Sequence, residues 1–449
     1  MAAASAAAAI AAATPEPSLH RGNIRFTDRD EHMYFWFPLL VGLSELTFDP
    51  RSEVRYGALG VLFDILKLHG TSFTKAFWIR VYDSILLPMF DHVRAEVTDT
   101  TTFSDEARRA EADAWLYETC TTSLQYLVDV IAAYHQAVPE LLARLLDLLG
   151  GFIRRNHPSL AAVGVAALTQ LAVSCGSDAD PETWEAILDA FTSATNDTVP
   201  DIGAVLELRS EHRRLSDDGK AWTLESGAGA RRLAEVRCRA SVQLLLAQAC
   251  GELYAAHPQS ISTKSMIGIL DLLEQISSRC VDADGNMGLR ESLALAQTAD
   301  NVSDGKMLDD PPFLQVEVES SQAYMTVLLT VNAVGKKEVI RDADIHGRIC
   351  RVCLLNLERF ERQSAACQAA QVDSAASETL MVENVALVPL AVATLKALMG
   401  LPKDTFAIQA KALYPSLTNL IASEISPQEV QNLLSEIFSS RISAMIDEA

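Results

Sequence analysis

Apolar residues recur at helical spacing in two segments that flank the stretch FDPRSEVR, residues 48–55. Proline at position 38 suits the first turn of a helix, where its missing N–H has no intrahelical partner to lose. The residues expected on the buried face of the first segment are Phe37, Leu39, Leu40, Leu43 and Leu46. Those expected on the buried face of the second are Val54, Ala58, Leu59, Val61, Leu62, Ile65 and Leu66. The pattern predicts a helical hairpin.

The turn of this hairpin has its own chemistry. Pro50 cannot continue the first helix, and Asp49 is predicted to be the N-cap of the second. Val54 is expected to pack into the layer of residues beneath the hairpin. We expect Arg55 to bridge to the turn carboxylate of its own or the neighbouring hairpin. An exposed ion pair is worth only about 0–1 kcal/mol, so the predicted role is register rather than stability.

Amphipathic segments continue along the chain, often opened by proline, as in PELLARLLDLLGGFIRR and PETWEAILDAFTSAT. A long helix is predicted from about Glu106 to Ala137. The helix before it is predicted to carry on one side Phe77, Trp78, Val81, Ile85 and Leu86. The periodicity lapses twice, in polar stretches rich in turn residues. The predicted organisation is an Ala-rich disordered leader at 1–26, helical repeats at 27–198, a mobile polar connector at 199–228, and further repeats at 229–449 with a polar break near 299–312.

Two distant hairpins resemble each other, which predicts a repeat architecture. FPLLVGLSEL and SEVRYGALGVLF near the start parallel YPSLTNLIAS and QEVQNLLSEIF near the end. Each pair has an aromatic-Pro dipeptide, a Pro-containing turn, and Glu-Val opening the second helix. Helical pairs repeating at roughly 40 residues indicate an all-α solenoid of the HEAT or armadillo kind.

Four residues at the first turn are candidates for contact with a partner. These are Arg51, Glu53, Arg55 and Tyr56. The alternative is that they order the turn and stack the repeats, and the sequence favours this alternative about two to one over partner binding.

Composition agrees with an all-α protein, since 49% of the residues are hydrophobic and Gly and Pro are sparse. A net charge of −22 argues against binding to nucleic acid and against direct binding to anionic lipid. The eight scattered cysteines suggest reduced core thiols of a cytosolic protein. No apolar run is expected to span a membrane, and the Ala-rich opening lacks the basic region of a secretory signal.

No catalytic, cofactor or metal site is predicted. Cys350 and Cys353 form a CxxC with His346 nearby, but a fourth zinc ligand is missing, so buried thiols are expected. A calcium-loop pattern beginning at Asp282 lacks the glycine and glutamate that such a loop requires.

Three stretches resemble the C-terminal helical region of the brefeldin A-inhibited guanine nucleotide-exchange proteins for Arf GTPases. They are residues 34–94, with WFPLLVGLSELTFDPRSEVR and FDHVR; residues 309–329, DDPPFLQVEVESSQAYMTVLL; and residues 388–442, with YPSLTNLI and EVQNLLSEIF. The resemblance implies a helical-repeat region downstream of a catalytic exchange domain. The motif of that domain is not found in this sequence, so no catalytic residue is carried over.

The resemblance further implies a non-catalytic regulatory scaffold in Arf-dependent vesicle trafficking. Expected partners are small GTPases of the Arf pathway or the remainder of an exchange factor, with a homodimer as a further candidate. The implied location is cytoplasmic and peripheral at trans-Golgi and endosomal membranes, reached through partners. A generic HEAT-repeat adaptor with unrelated partners is the alternative, and an enzyme is a remote third class.

Overall fold

The structure is a computed structural model of the 449-residue chain. It describes residues 32–90, 106–203, 206–207, 228–258, 260–284, 313–335, 337–369, 375–423, 425–443 and 445. The predicted leader at 1–26 and the polar break at 299–312 lie outside these residues, as does most of the connector at 199–228. The predicted domain boundaries therefore stay predictions.

The chain divides into two compact units, residues 1–151 and 152–449. The helices of the first unit are α1 Phe37–Leu46, α2 Ser52–His69, α3 Lys75–Val81, α4 Glu106–Tyr134 and most of α5 Pro139–Ile153. A short π-helical turn, His32–Trp36, leads into α1, and another, Tyr82–Leu86, extends α3. The predicted face of α3 is confirmed, since Phe77, Trp78, Val81, Ile85 and Leu86 are all buried.

The second unit is also built from helices. They are α6 Pro158–Cys175, α7 Pro181–Asp197, α8 Ala228–Ala256, α9 Thr263–Asp284, α10 Phe313–Val334, α11 Lys337–Asp342, α12 Ile345–Ala369, α13 Ala375–Gly400, α14 Lys403–Ala422 and α15 Gln428–Ile437. A π-helical turn, Phe438–Ile442, extends α15.

Packing in the second unit follows the order of the chain. Helices α8, α9, α12 and α14 each contact the next helix, and α6, α7, α8, α10, α12 and α13 each contact the helix two places on. This is the pattern of stacked helical pairs, in which one helix packs on its own partner and on its equivalent in the next pair. No strand occurs within the residues that the structure describes. The predicted all-α repeat fold is confirmed.

The start of several helices follows from local sequence. Pro38 occupies the first turn of α1 as predicted, and Asp180 caps α7 by accepting a hydrogen bond from the Thr183 N–H at 2.7 Å. The predicted cap of α2 is wrong. Its N-cap is Arg51, in extended conformation and without a side-chain cap, because Asp49 is held in a different interaction described below.

Two helices meet the length and composition test for crossing a membrane, which the sequence analysis did not predict. They are α6 and residues Leu380–Gly400 within α13. Of the apolar stretch, 61% is buried inside the protein in α6 and 44% in α13. A core helix of a soluble protein passes the same test. Both helices pack on neighbours, α6 on α8 and α13 on α12, as core helices do.

Candidate functional site

The turn between α1 and α2 is organised around Asp49. Its Oδ1 accepts a hydrogen bond from the Arg51 backbone N–H at 2.9 Å, so Asp49 closes an Asx-type turn instead of capping the helix. The Arg51 guanidinium donates to both carboxylate oxygens, at 2.9 and 3.0 Å. The side-chain hydrogen bond from Arg51, followed by the backbone one, lowers the pKa of Asp49 to about 2. The carboxylate is therefore charged at any physiological pH.

Arg55 lies on the buried side of the same turn. It is 3% exposed, and its Nη1 donates to the backbone oxygens of Asp49 at 3.0 Å and Pro50 at 2.9 Å. We expected Arg55 to bridge to the turn carboxylate. Its Nη1 binds the turn carbonyls, and Arg51 holds the Asp49 carboxylate, because the Asx geometry points the Asp49 side chain toward residue 51. The expected bridge from Arg55 to a carboxylate of its own or the neighbouring hairpin stays a prediction.

The four candidate residues therefore differ in accessibility. The Arg51 side chain is 74% exposed, Glu53 is exposed, and Tyr56 is half-buried. Buried Arg55 ties the turn together from within. Of the four, Arg51 and Glu53 present charged groups to solvent, so they carry the prediction of partner contact.

The related hairpin near the end of the chain contains a similar interaction. Gln431 follows Val430 as Arg55 follows Val54, and its Nε2 donates to the backbone oxygens of Leu420 at 3.3 Å and Ser423 at 3.2 Å. In both hairpins the residue after Glu-Val reaches back to carbonyls at the end of the preceding helix or turn. We call this the reach-back bond. It adds a side-chain donor to carbonyls in the turn or at the end of the preceding helix, where the regular helical hydrogen bonds stop. The Leu420 oxygen also accepts from the Ser423 N–H and the Ser426 hydroxyl.

The exposed face of α1 is a feature that the sequence analysis missed. We placed Leu39, Leu43 and Leu46 on the buried face, but only Phe37 and Leu40 are buried in α1. Leu39 and Leu46 are exposed, and Leu43 is half-buried. In the second helix Val61 is likewise exposed, whereas Leu59 is buried as predicted. The available signal was that α1 has only two polar side chains, Ser44 and Glu45, so periodicity alone does not separate its buried face from its exposed one.

A second missed feature is a buried polar network that begins at Glu317, a residue of the segment DDPPFLQVEVESSQAYMTVLL. Glu317, 1% exposed, accepts a hydrogen bond from Arg359 Nε at 3.2 Å. Arg359 also donates to the Gln363 Oε1 at 3.0 Å, and Gln363 donates to the Leu380 carbonyl at 3.1 Å and to Glu383 at 3.0 Å. The network joins α10, α12 and α13. Removing one member of a buried pair of this kind leaves an uncompensated buried charge, which costs about 3–5 kcal/mol.

The CxxC pair lies in the core of the second unit. Cys350 and Cys353 are buried and not disulfide-bonded, as are the six other cysteines of the chain. Cys353 contacts the Thr394 carbonyl, and the ring of His346 is hydrogen-bonded to Asn332 at 2.9 Å. Burial raises the pKa of both thiols, so the reactive thiolate is disfavoured. Within the described residues no group of three or more His, Cys, Asp or Glu is arranged to hold a metal ion.

The described fold and its turns define the class of protein: an all-α helical-repeat protein in which two described hairpins are closed by reach-back bonds. Two family models match the chain. One, described as the BIG2 C-terminal domain, covers residues 241–439. The other, described as a GBF1-like tetratrico peptide repeat region, covers residues 36–171.

Curated relatives extend these matches over nearly the whole chain. Brefeldin A-inhibited guanine nucleotide-exchange protein 2 of Arabidopsis thaliana is 32% identical, with 94% of this chain and 26% of the relative covered. Protein 3 of the same plant is 30% identical, with 94% and 24% covered. The ADP-ribosylation factor guanine nucleotide-exchange factor sec71 of Schizosaccharomyces pombe is 22% identical, with 54% and 14% covered. No solved structure matches.

This chain is a C-terminal-type helical region of the brefeldin A-inhibited guanine nucleotide-exchange protein family. It spans about a quarter of the length of the plant relatives.

Proposed function

We propose that the chain is a non-catalytic regulatory and interaction scaffold in Arf-dependent vesicle trafficking. The observation that carries this proposal is the alignment of 94% of the chain with a quarter of an exchange protein, over a region whose matching model is a C-terminal domain. Stacked helical pairs offer long surfaces for partners, which suits a scaffold. The burial of the thiols disfavours nucleophilic chemistry at those positions.

The proposed partners are small GTPases of the Arf pathway or the remainder of an exchange factor. A net charge of −22 favours partner surfaces with basic patches. We place the chain in the cytoplasm, with peripheral attachment to trans-Golgi and endosomal membranes through those partners. Arg51 and Glu53 are the proposed contact residues at the first turn, because they combine charge with exposure.

A nucleotide-release assay tests the proposal that the chain does not catalyse nucleotide exchange. Arf loaded with a fluorescent GDP analogue is mixed with the full chain in the presence of magnesium, and chelation of the magnesium is the positive control for release. We expect the rate with the chain to equal the rate without it. Faster release that grows with chain concentration would show that the chain is itself an exchange catalyst.

A binding titration tests the scaffold part. The chain is titrated against GTP-loaded and GDP-loaded Arf and against the remainder of an exchange factor, at about 0.05 and 0.3 M salt. We expect measurable binding to at least one of them, weakened by salt, and weakened further by Arg51→Ala or Glu53→Ala. Binding to none of these components would leave the alternative, a HEAT-repeat adaptor with unrelated partners.

A further inference from the structure

Six arginines are gathered at one end of the second unit, where α5 ends and α8 begins. They are Arg154, Arg155, Arg231, Arg232, Arg239 and Arg279, which we call the arginine edge. Ion pairs join three of them to Asp197, Glu207 and Glu235. Such a concentration of arginine is unusual in a chain whose 59 acidic residues outnumber its 37 basic ones.

The end of α7 holds three of these arginines in place. Arg154 Nη1 donates to the Asp197 Oδ2 at 3.2 Å, and Arg239 Nη1 donates to the Val199 carbonyl at 3.2 Å. Arg279 donates to an asparagine of the same helix end at 3.0 Å. The carboxyl end of a helix carries partial negative charge, which favours cations there. These contacts explain three of the six arginines within the fold and fix the backbone from which the others project.

Arg155 lacks a counter-charge among the residues that the structure describes. It is half-buried, and within those residues its side chain has no hydrogen bond or ion pair. Its backbone oxygen contacts the Sγ of Cys238 at 3.8 Å, so α8 passes directly beside it. Arg231 precedes Cys238 by two turns on the same face of α8, about 10 Å along the helix, and it is exposed. Arg155 and Arg231 therefore border the same side of α8.

The chemistry of the arginine edge identifies the kind of ligand. A half-buried charge without a counter-charge is unfavourable, so Arg155 favours an anion beside it. The guanidinium presents a planar fork that matches a carboxylate with two parallel hydrogen bonds. Acidic side chains on one face of an extended peptide recur about every 7 Å, so a short acidic run reaches both Arg155 and Arg231. The connector between α7 and α8 adds no net charge, since residues 208–227 contain four basic and four acidic residues.

We propose that the arginine edge binds an extended acidic peptide of a partner protein, with Arg155 and Arg231 as its main contacts. Exposed ion pairs contribute little each, so the dissociation constant is on the order of 100 µM. The net charge of −22 repels such a peptide from the chain as a whole, so binding depends on the local excess of arginine. This contact is separate from the proposed function, whose partners carry basic surfaces.

Fluorescence anisotropy with the full chain measures the binding. The probe is a fluorescein-labelled peptide of about ten glutamates, at about 0.05 and 0.3 M salt. We expect binding that salt weakens and that Arg155→Glu weakens roughly 10-fold, because an attraction becomes a repulsion. Arg155→Lys keeps the charge but not the fork, and should lie between the two. Arg362→Glu is the matched control, since it changes the net charge equally at an exposed position of α12, and it should weaken binding less than about twofold.

Circular dichroism melting establishes that each variant is folded. Arg231→Glu, at an exposed position, repeats the test if Arg155→Glu melts early, and the same weakening of roughly 10-fold is expected. No binding of the glutamate probe by the parent chain would overturn the proposal. So would an equal effect of Arg155→Glu and Arg362→Glu, which would assign the binding to net charge alone. Cosedimentation with vesicles containing about 30% phosphatidylserine, without binding of the peptide, would assign the arginine edge to a membrane surface and would overturn the proposal too.

Discussion

Replacing Arg55 tests whether the first turn is held from within. Arg55→Ala removes the guanidinium that donates to the carbonyls of Asp49 and Pro50. Arg51→Ala is the matched control, an arginine of the same turn whose side chain is mostly in solvent. Arg55→Gln is the conservative variant, because Gln431 makes the equivalent reach-back bond with an amide.

The expected cost follows from the geometry. Each hydrogen bond from a charged donor contributes about 1.5–3 kcal/mol. Water compensates for part of the lost hydrogen bond at the Pro50 carbonyl, since Pro50 is exposed. It compensates for less at the Asp49 carbonyl, since Asp49 is half-buried. The net loss for Arg55→Ala is therefore about 2–4 kcal/mol. Arg51→Ala should cost at most about 1 kcal/mol, since exposed ion pairs contribute little. Arg55→Gln should lie between the two.

Hydrogen exchange followed by mass spectrometry is the suitable assay, because it reports on one hairpin within a long repeat array. Peptides covering α1 and α2 should exchange roughly 30- to 1,000-fold faster in Arg55→Ala, the factor that corresponds to the expected free energy. Peptides from the second unit serve as the internal reference. Equal exchange in Arg55→Ala and Arg51→Ala would refute the assignment of Arg55 as the residue that closes the turn.

Three further outcomes are expected. Leu59→Ala should cost about 2–5 kcal/mol by leaving a cavity, because Leu59 is fully buried; a loss below about 1 kcal/mol in urea unfolding would place it elsewhere. Gly70→Ala should cost about 1–3 kcal/mol, because the added Cβ would lie 2.5 Å from Trp78 and 2.6 Å from Tyr134. Gly60→Ala in α2, where an added Cβ meets nothing within 4 Å, should be neutral or stabilising. Equal melting temperatures for the two variants would contradict this. Burial raises the thiol pKa values, so the native chain at about pH 8 should react slowly with a thiol reagent, whereas the unfolded chain should react at all eight cysteines. The free energy of unfolding should fall as the pH rises above the ordinary thiol pKa, because only the unfolded state ionises there. Fast labelling of the native chain would argue against the packing of these cysteines.

The helices were predictable because their apolar residues repeat strongly. Helix α4 was predicted from about residue 106 to 137 and runs Glu106–Tyr134. The buried position of Leu59 and the five core residues of α3 followed from the same periodicity. The faces of α1 did not follow, since a helix with only two polar side chains has too weak a pattern to separate core from surface.

The details of the turn were less predictable. Asp49 was a reasonable N-cap by residue type, but an aspartate in this position can also close a turn on the N–H two residues later, and the sequence does not distinguish the two. Residue type alone predicts that a charged side chain such as Arg55 lies at the surface. Its burial depends on two carbonyls that the turn geometry brings within 3.0 Å. The network around Glu317 was missed for the same reason, because its partners Arg359 and Gln363 are distant in sequence.

The reach-back bond has a consequence for where this chain tolerates change in length. The donor is in the first turn of one helix and its acceptors are at the end of the preceding segment, so the number of residues between them is constrained in both hairpins. An epitope tag or protease sequence inserted between Pro50 and Ser52, or between Ser423 and Gln428, would separate donor from acceptor. The polar stretches near 199–228 and 299–312 contain no such predicted constraint and are better insertion points. An engineer who splits the protein into fragments should therefore cut between hairpins and leave every hairpin turn whole.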